Sequence, residues 1–225
     1  TLLRPETLAA GRDLTPMATL TTQLSALIFD PAVPYGLQET LADLLRTASL
    51  VRDRLSIDAW RTLSHLCTSA STRAGEPILA VTQYTAQALE LLDNGLRALA
   101  AFSGMEMENM TRNHGWRFLD MGRRAERAVH LTELLGGLLT EGDPESDGSL
   151  ILLLEVADSF MTYRSRYLTT PMIPPVIDLL LLDETNPRSV AFQMAALAEH
   201  VDQLPRDADL DARSAEQRIV LALST

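Results

Sequence analysis

Asn113-His114-Gly115-Trp116-Arg117-Phe118-Leu119-Asp120-Met121-Gly122-Arg123-Arg124-Ala125-Glu126-Arg127-Ala128-Val129-His130 is the stretch on which the reading of this chain turns. On a helical wheel Phe118, Met121, Gly122, Ala125, Ala128 and Val129 form one apolar arc, whose small members would let a neighbouring helix approach closely. That arc is expected to face a core. Leu119, Arg123, Glu126, His130 and Glu133 fall on a second strip at three- and four-residue spacing, stacking guanidinium, carboxylate and imidazole along one edge. The strip reads either as a solvated face of ordinary ion pairs or as the wall of a polar site.

Helical patterning extends in both directions from this stretch. Segments Leu14 to Phe29, Leu37 to Thr68, Ile78 to Phe102, Trp116 to Leu139, Leu150 to Leu168, Ile177 to Leu182 and Val190 to Leu204 are rich in Leu, Ala, Arg, Glu and Gln and carry apolar residues at helical spacing. A last helix is expected from Ser214 to Leu223. Pro31 and Pro34 end the first segment, Gly75-Glu76-Pro77 opens the third, and Pro171, Pro174 and Pro175 separate the fifth from the sixth. In Asp183-Glu184-Thr185-Asn186-Pro187-Arg188-Ser189, Asn186 is expected to cap the next helix with Pro187 at its first position. Gly136-Gly137 is expected to end or bend its helix, and Glu141 to Glu145 reads as a helix-to-helix loop. Nothing alternates at period two for long. The predicted fold is all-α: a single, mostly antiparallel multi-helix bundle with no sheet, one domain over residues 1–225.

Composition narrows the function. The 225 residues hold Lys+Arg 19 against Asp+Glu 30, a formal net charge of -11, which argues against generic nucleic-acid binding. Every one of those basic residues is arginine, so a lysine Schiff base, a lysine nucleophile and a Walker lysine are all excluded within this chain. One cysteine, Cys67, rules out an internal disulfide framework and a cysteine-only metal cage, and fits a reducing compartment with the cytoplasm as the default. Apolar runs such as Leu150 to Leu154 and Val176 to Leu182 are far shorter than the roughly 20 residues of a membrane helix. No membrane partner is expected. The chain opens at Thr1 with no signal-peptide pattern, and it is read as the remainder of something longer.

Candidate chemistry centres on arginine. Arg52 and Arg54 lie in Val51-Arg52-Asp53-Arg54-Leu55-Ser56, and Tyr163, Arg164, Arg166 and Tyr167 lie in Thr162 to Tyr167. If these helices turn inward beside the Arg123–Glu126 strip, several guanidiniums would fork onto carboxylates or a bound anion, whose planar geometry they match. Glu126 is the tentative catalytic acid or base, although neighbouring positive charge favours its ionised form and hence pairing or amine binding. Substrate or anion binding is assigned to Arg52, Arg54, Arg123, Arg127, Tyr163, Arg166, Tyr167 and Arg188. His65, His114, His130 and His200 show no Glu-x-x-His spacing, so no helical di-metal site is expected; Glu126 and His130 sharing a zinc ion is a minor alternative to a hydrogen bond. Trp60, Trp116, Tyr163 and Tyr167 read as core or as pocket lining. Cys67 reads as packed, and Arg206 to Arg213 as a solvated acidic loop.

The run Gly115 to Ala128, together with Val51 to Ser56 followed by Trp60, Thr162 to Tyr167, and Leu180 to Val190, closely resembles the bacterial alpha-E domain. The resemblance extends over Thr40 to Val201. It implies an all-helical domain encoded beside, or fused to, a circularly permuted ATP-grasp protein, often near a transglutaminase-like peptidase. ATP-grasp enzymes activate a carboxylate as an acyl phosphate and pass it to an amine. The resemblance thus implies an ATP-grasp partner in cis or in trans that carries ATP and Mg, no cofactor in this chain, and a peptide or amine substrate. Members usually open with a helix bearing another Gly-Arg-x-x-Glu-Arg-Ala element. Gly122 to Ala128 matches that pattern and no second copy follows, so an opening helix upstream of Thr1 is expected.

Three functions are compatible with this reading. The first is a helical accessory or substrate-binding module acting with an ATP-grasp ligase in ATP-dependent amide-bond formation or peptide modification. The second makes the domain itself catalytic, with Glu126 as acid or base and Arg52, Arg123, Arg166 and Arg188 stabilising a developing anion. The third is a scaffold in which the same residues form an internal ion-pair network that fixes helix register.

Overall fold

The computed structural model describes residues 16–74, 81–140, 148–205 and 213–223. Among them every regular element is helical, and the chain forms two compact units, one up to Thr111 and one from Arg112.

The first unit contains α1 (Pro16–Phe29), α2 (Leu37–Leu50), a 3₁₀ turn over Arg52–Arg54, α3 (Ile57–Ala74) and α4 (Val81–Asn109). The segment read as one helix from Leu37 to Thr68 is therefore two helices, broken where Val51 to Ser56 tightens into the 3₁₀ turn. Leu41, Leu66, Cys67, Ala70 and Leu91 form its buried core, with Ile28, Phe29, Leu44 and Leu45 packed against them. Burial raises the Cys67 thiol pKa and favours the protonated form. The buried Gln38 donates to the Ile28 carbonyl at 2.9 Å, which ties the end of α1 to the start of α2.

The second unit contains α5 (His114–Thr140), α6 (Ser149–Val156), α7 (Phe160–Tyr167), α8 (Ile173–Ile177) running into a π-turn over Asp178–Leu182, α9 (Val190–Asp202) and α10 (Ala215–Leu223). Leu131, Leu135, Leu150, Leu153, Leu154, Tyr163, Val176, Leu179 and Leu180 build its core. Leu150 to Leu168 was expected to be one helix and is two. Asp158 adopts φ 51°, a left-handed conformation that Asp tolerates better than most residues, and the chain turns there. Pro174 and Pro175 do not separate helices; they occupy the first turn of α8, where a missing N–H leaves no bond unmade. Gly136 and Gly137 do not end α5, which continues to Thr140.

The turn before α9 corrects another expectation. Ser189, not Asn186, is the N-cap: its hydroxyl accepts the Phe192 amide at 3.0 Å and donates to the Asp183 carbonyl. Asn186 is buried in the turn, where its amide donates to the Leu179 carbonyl at 3.0 Å. Gly75-Glu76-Pro77, the Glu141 to Glu145 loop and residues 206–212 of the acidic loop lie outside the described residues.

Leu154 and Leu152 share one helix but differ in burial, 0% against 65% exposed. Leu154→Ala is expected to destabilise the second unit by about 2–5 kcal/mol, through lost burial and a residual cavity. Leu152→Ala should change stability by less than about 0.5 kcal/mol. Urea denaturation of both variants, followed through Trp116 in a Trp60→Phe background, measures the difference.

Candidate functional site

Helices α5 and α9 pack lengthwise on each other, and the contact between them is polar at its centre. The face of α5 that is buried carries Asp120, Ala128, Leu131 and Leu135. This overturns the expected orientation of the wheel: Phe118 and Val129 of the supposed core arc are 59% and 53% exposed. The periodicity was right but its phase was rotated: Ala128 of the expected arc is buried, and Asp120, Leu131 and Leu135 rather than Phe118 and Val129 complete the buried face.

Asp120 is buried and its Oδ2 accepts from two sides. Arg124 Nε, one turn on along α5, donates at 2.6 Å, and His200 Nε2, from α9, lies at 2.8 Å. A carboxylate facing Nε2 places the proton on that nitrogen, and the buried Nδ1 of His200 has no hydrogen-bond partner. Burial alone would raise the Asp120 pKa, but the hydrogen bonds from His200 and Arg124, with the charge on Arg124, hold it below the usual aspartate value. Aromatic rings close the assembly. The Trp116 ring meets His200 edge-on with centroids 5.3 Å apart, the Arg112 guanidinium lies 4.2 Å from the Trp116 centroid, and Arg124 stands 5.5 Å from the Phe192 centroid.

A chain of bonds leads from Asp120 to a gathering of arginines. Arg124 donates to Gln193 Oε1 at 3.4 Å, and Gln193 Nε2 donates to the Pro187 carbonyl at 2.7 Å, which fixes the residue before Arg188. Arg188 itself pairs with Asp158. Arg127, three and four residues beyond Arg124 and Arg123, is half-buried on the same helix. It makes no ion pair or hydrogen bond among the described residues. Burial, then the fields of Arg188, Arg123 and Arg124, depress its pKa from the ordinary arginine value, with Asp120 acting in the opposite sense. The charges of Arg188, Arg123 and Arg124 thus act against that of Arg127.

The other sequence-predicted residues distribute differently. Tyr163 is fully buried, and its hydroxyl donates to the Thr170 carbonyl at 3.2 Å and accepts the Met172 amide at 3.1 Å, stitching the loop after α7. Arg166 pairs with Asp183, and the Tyr167 hydroxyl donates to Asp178. The Asp183 carboxylate also takes the amide and hydroxyl of Thr185; these bonds and the Arg166 contact outweigh its desolvation and lower its pKa. Burial and the Asp178 bond raise that of Tyr167. Arg52 and Arg54 belong to the first unit, where Arg52 lies 5.0 Å from the Trp60 ring centroid and Arg54 pairs with the adjacent, exposed Asp53. Glu126 is exposed with no bonded partner among the described residues, and His114 and His130 are exposed. Among the described residues no three His, Cys, Asp or Glu side chains converge as a metal site would need.

The structure therefore unites Arg123, Arg127 and Arg188 and adds Arg124, Asp120, His200 and Gln193, which sequence reasoning did not single out. The i,i+4 spacing of Asp120 and Arg124 is a local signal; that of Asp120 and His200, 80 residues apart, is not.

Because the Asp120 pKa is lowered on folding, its contribution to stability is complete above the unfolded aspartate pKa of about 3.9 and disappears as pH falls through the lower folded value. Asp120→Asn is expected to lose about 1–3 kcal/mol at pH 7, the range for bonds to a charged group. Its stability should fall less steeply than the wild type's on acidification below about pH 4. Urea titrations at pH 7 and across the acid limb test both expectations, and parallel acid limbs would refute the linkage.

Comparison with known proteins bears on the same residues. Uncharacterised proteins of Mycobacterium tuberculosis and Mycobacterium bovis are 30% identical to the chain over 191 residues; the match takes in 84% of this chain but 22% of each relative. The chain thus spans under a quarter of the length of the curated relatives it matches. No solved structure matches it. Among the described residues no helix is long and apolar enough to cross a membrane. A family model named Alpha-E, described as a predicted alpha-helical domain with a conserved ER motif, matches residues 5–225. Glu-Arg occurs once in the sequence, at Glu126-Arg127, and Arg127 is the half-buried arginine that feels the charges of Arg188, Arg123 and Arg124. With its helical fold and a match over almost its whole length, the chain belongs to the Alpha-E family.

Proposed function

We propose that this chain is a cytoplasmic, helical accessory module that binds an anionic group of the substrate, or of a reaction intermediate, for an ATP-grasp ligase during ATP-dependent amide-bond formation or peptide modification. The observation that carries this reading is Arg127: half-buried, without a bonded carboxylate among the described residues, and set among Arg123, Arg124 and Arg188. A structural ion-pair network would place an acid against such a group, because an unpaired and partly desolvated charge destabilises the fold. A binding site instead leaves the counter-charge to the ligand. ATP and Mg act on the ATP-grasp partner, in cis or in trans, and this chain supplies orientation and charge. The 22% span of its relatives fits a module that serves chemistry located elsewhere in a longer protein or complex.

Glu126 fits this role as a neighbour rather than as the reacting group. It is exposed with no bonded partner among the described residues, whereas a reacting acid or base is held by the groups around it.

Reconstitution with an ATP-grasp protein from the same source tests the proposal, with ADP release and product formation read separately. Product formation should require this chain. Arg127→Gln should lower kcat/KM by about tenfold or more, the scale of one lost charge-assisted bond to substrate, while Glu126→Gln should stay within about twofold. Unchanged turnover with Arg127→Gln would reject the module as an anion receiver. Loss of turnover with retained substrate binding in Glu126→Gln would assign catalysis to this domain instead.

A further inference from the structure

The donors left open around Arg127 distinguish one class of anion from another. Arg124 uses Nε on Asp120 and one terminal nitrogen on Gln193, and Arg188 uses one terminal nitrogen on Asp158. What remains is the whole Arg127 guanidinium, the second terminal nitrogen of Arg124, and the other N–H groups of Arg188. They belong to two elements. Arg124 and Arg127 are one turn apart on α5, while Arg188 is delivered from the turn before α9 by the Arg124–Gln193–Pro187 bonds. A carboxylate offers two oxygens in one plane and a single negative charge. A phosphoryl group offers three terminal oxygens at tetrahedral corners and close to two negative charges near neutral pH, so it can accept from guanidiniums carried by separate elements and offsets more than one positive charge.

Resting on the anion-binding reading above, we infer that the group received by Arg127, Arg124 and Arg188 is a phosphoryl group rather than a carboxylate. The Phe192 ring, 5.5 Å from the Arg124 guanidinium, favours its charge through a cation–π contact. Asp120 lies behind Arg124, bonded through Nε, so it orients this donor without occupying its second terminal nitrogen. The shared chemistry has two sources, free phosphate and a phosphoryl group esterified to a substrate.

The probes are inorganic phosphate, methyl phosphate and acetate, titrated into the full chain by calorimetry at fixed ionic strength. Phosphate or methyl phosphate should bind at least tenfold more tightly than acetate. Tighter binding of methyl phosphate assigns an esterified phosphoryl group, and tighter binding of phosphate assigns the free ion. Arg127→Gln and Arg188→Gln should each weaken the preferred probe at least tenfold, whereas Arg46→Gln, in an exposed pair with Asp43 in the first unit, should not. Arg127→Lys, which keeps the charge and loses the fork, provides a second folded variant should glutamine disturb the helix. Acetate binding as tightly as phosphate would overturn the phosphoryl assignment while leaving the anion-receiving role standing. No binding of any probe would overturn both, and phosphate binding indifferent to the Arg127 and Arg188 variants would place it outside this site.

Discussion

A carboxylate removed from water must be compensated, and in the second unit that requirement is met by Asp120. Its single oxygen Oδ2 takes both Arg124 from its own helix and His200 from the facing one. The pairing of α5 with α9 is therefore fixed in rotation and register by a directional polar contact as well as by shape. A greasy stripe tolerates sliding by a turn, whereas a hydrogen bond of 2.8 Å with a ring edge-packed on Trp116 does not. Once α9 is placed, Gln193 and the turn before it follow, and Arg188 comes to the arginines of α5.

Two polar clusters in this unit illustrate different uses of the same residue types. Around Asp183, each charge has been answered locally: Arg166 and Thr185 reach Asp183, Tyr167 reaches Asp178, Ser189 reaches the Asp183 carbonyl, and Asn186 reaches the Leu179 carbonyl. Such saturation makes a rigid turn, and the donors are spent. Around Arg127 the balance differs, because the neighbouring acids Asp120 and Asp158 are engaged by Arg124 and Arg188. Arg127 keeps all of its donors, and its own environment works against its charge.

Helical class and most segment positions were legible in the sequence because period and composition are local properties. The errors have local physical causes too. Asp158 splits one predicted helix by entering the left-handed region, and Ser189 rather than Asn186 caps α9 because the Asn186 Oδ1 accepts the Arg188 amide before the helix begins. Phase on the α5 wheel was misjudged since hydrophobicity alone assigns the buried side, and here Asp120 takes it with help from a residue 80 positions away. The same limit applies to the site. Arg123, Arg127 and Arg188 were recognisable as arginines of one pattern, but Arg166, Tyr163 and Tyr167 look identical in sequence and prove to be occupied by turn-building bonds.

The scaffold alternative can be weighed on this contrast. A network evolved only to fix register should resemble the Asp183 turn, with each cation bonded and each acid shared. Arg127 breaks that pattern at a place where the remedy is close at hand: the next residue in sequence, Glu126, is an acid, yet it projects into solvent on another side of α5. Successive helical positions differ by about 100° in direction, so the Glu-Arg pair cannot place both groups into one cluster. The pairing that adjacency in the sequence suggests is not made, and this sets Arg127 apart from the saturated turn at Asp183.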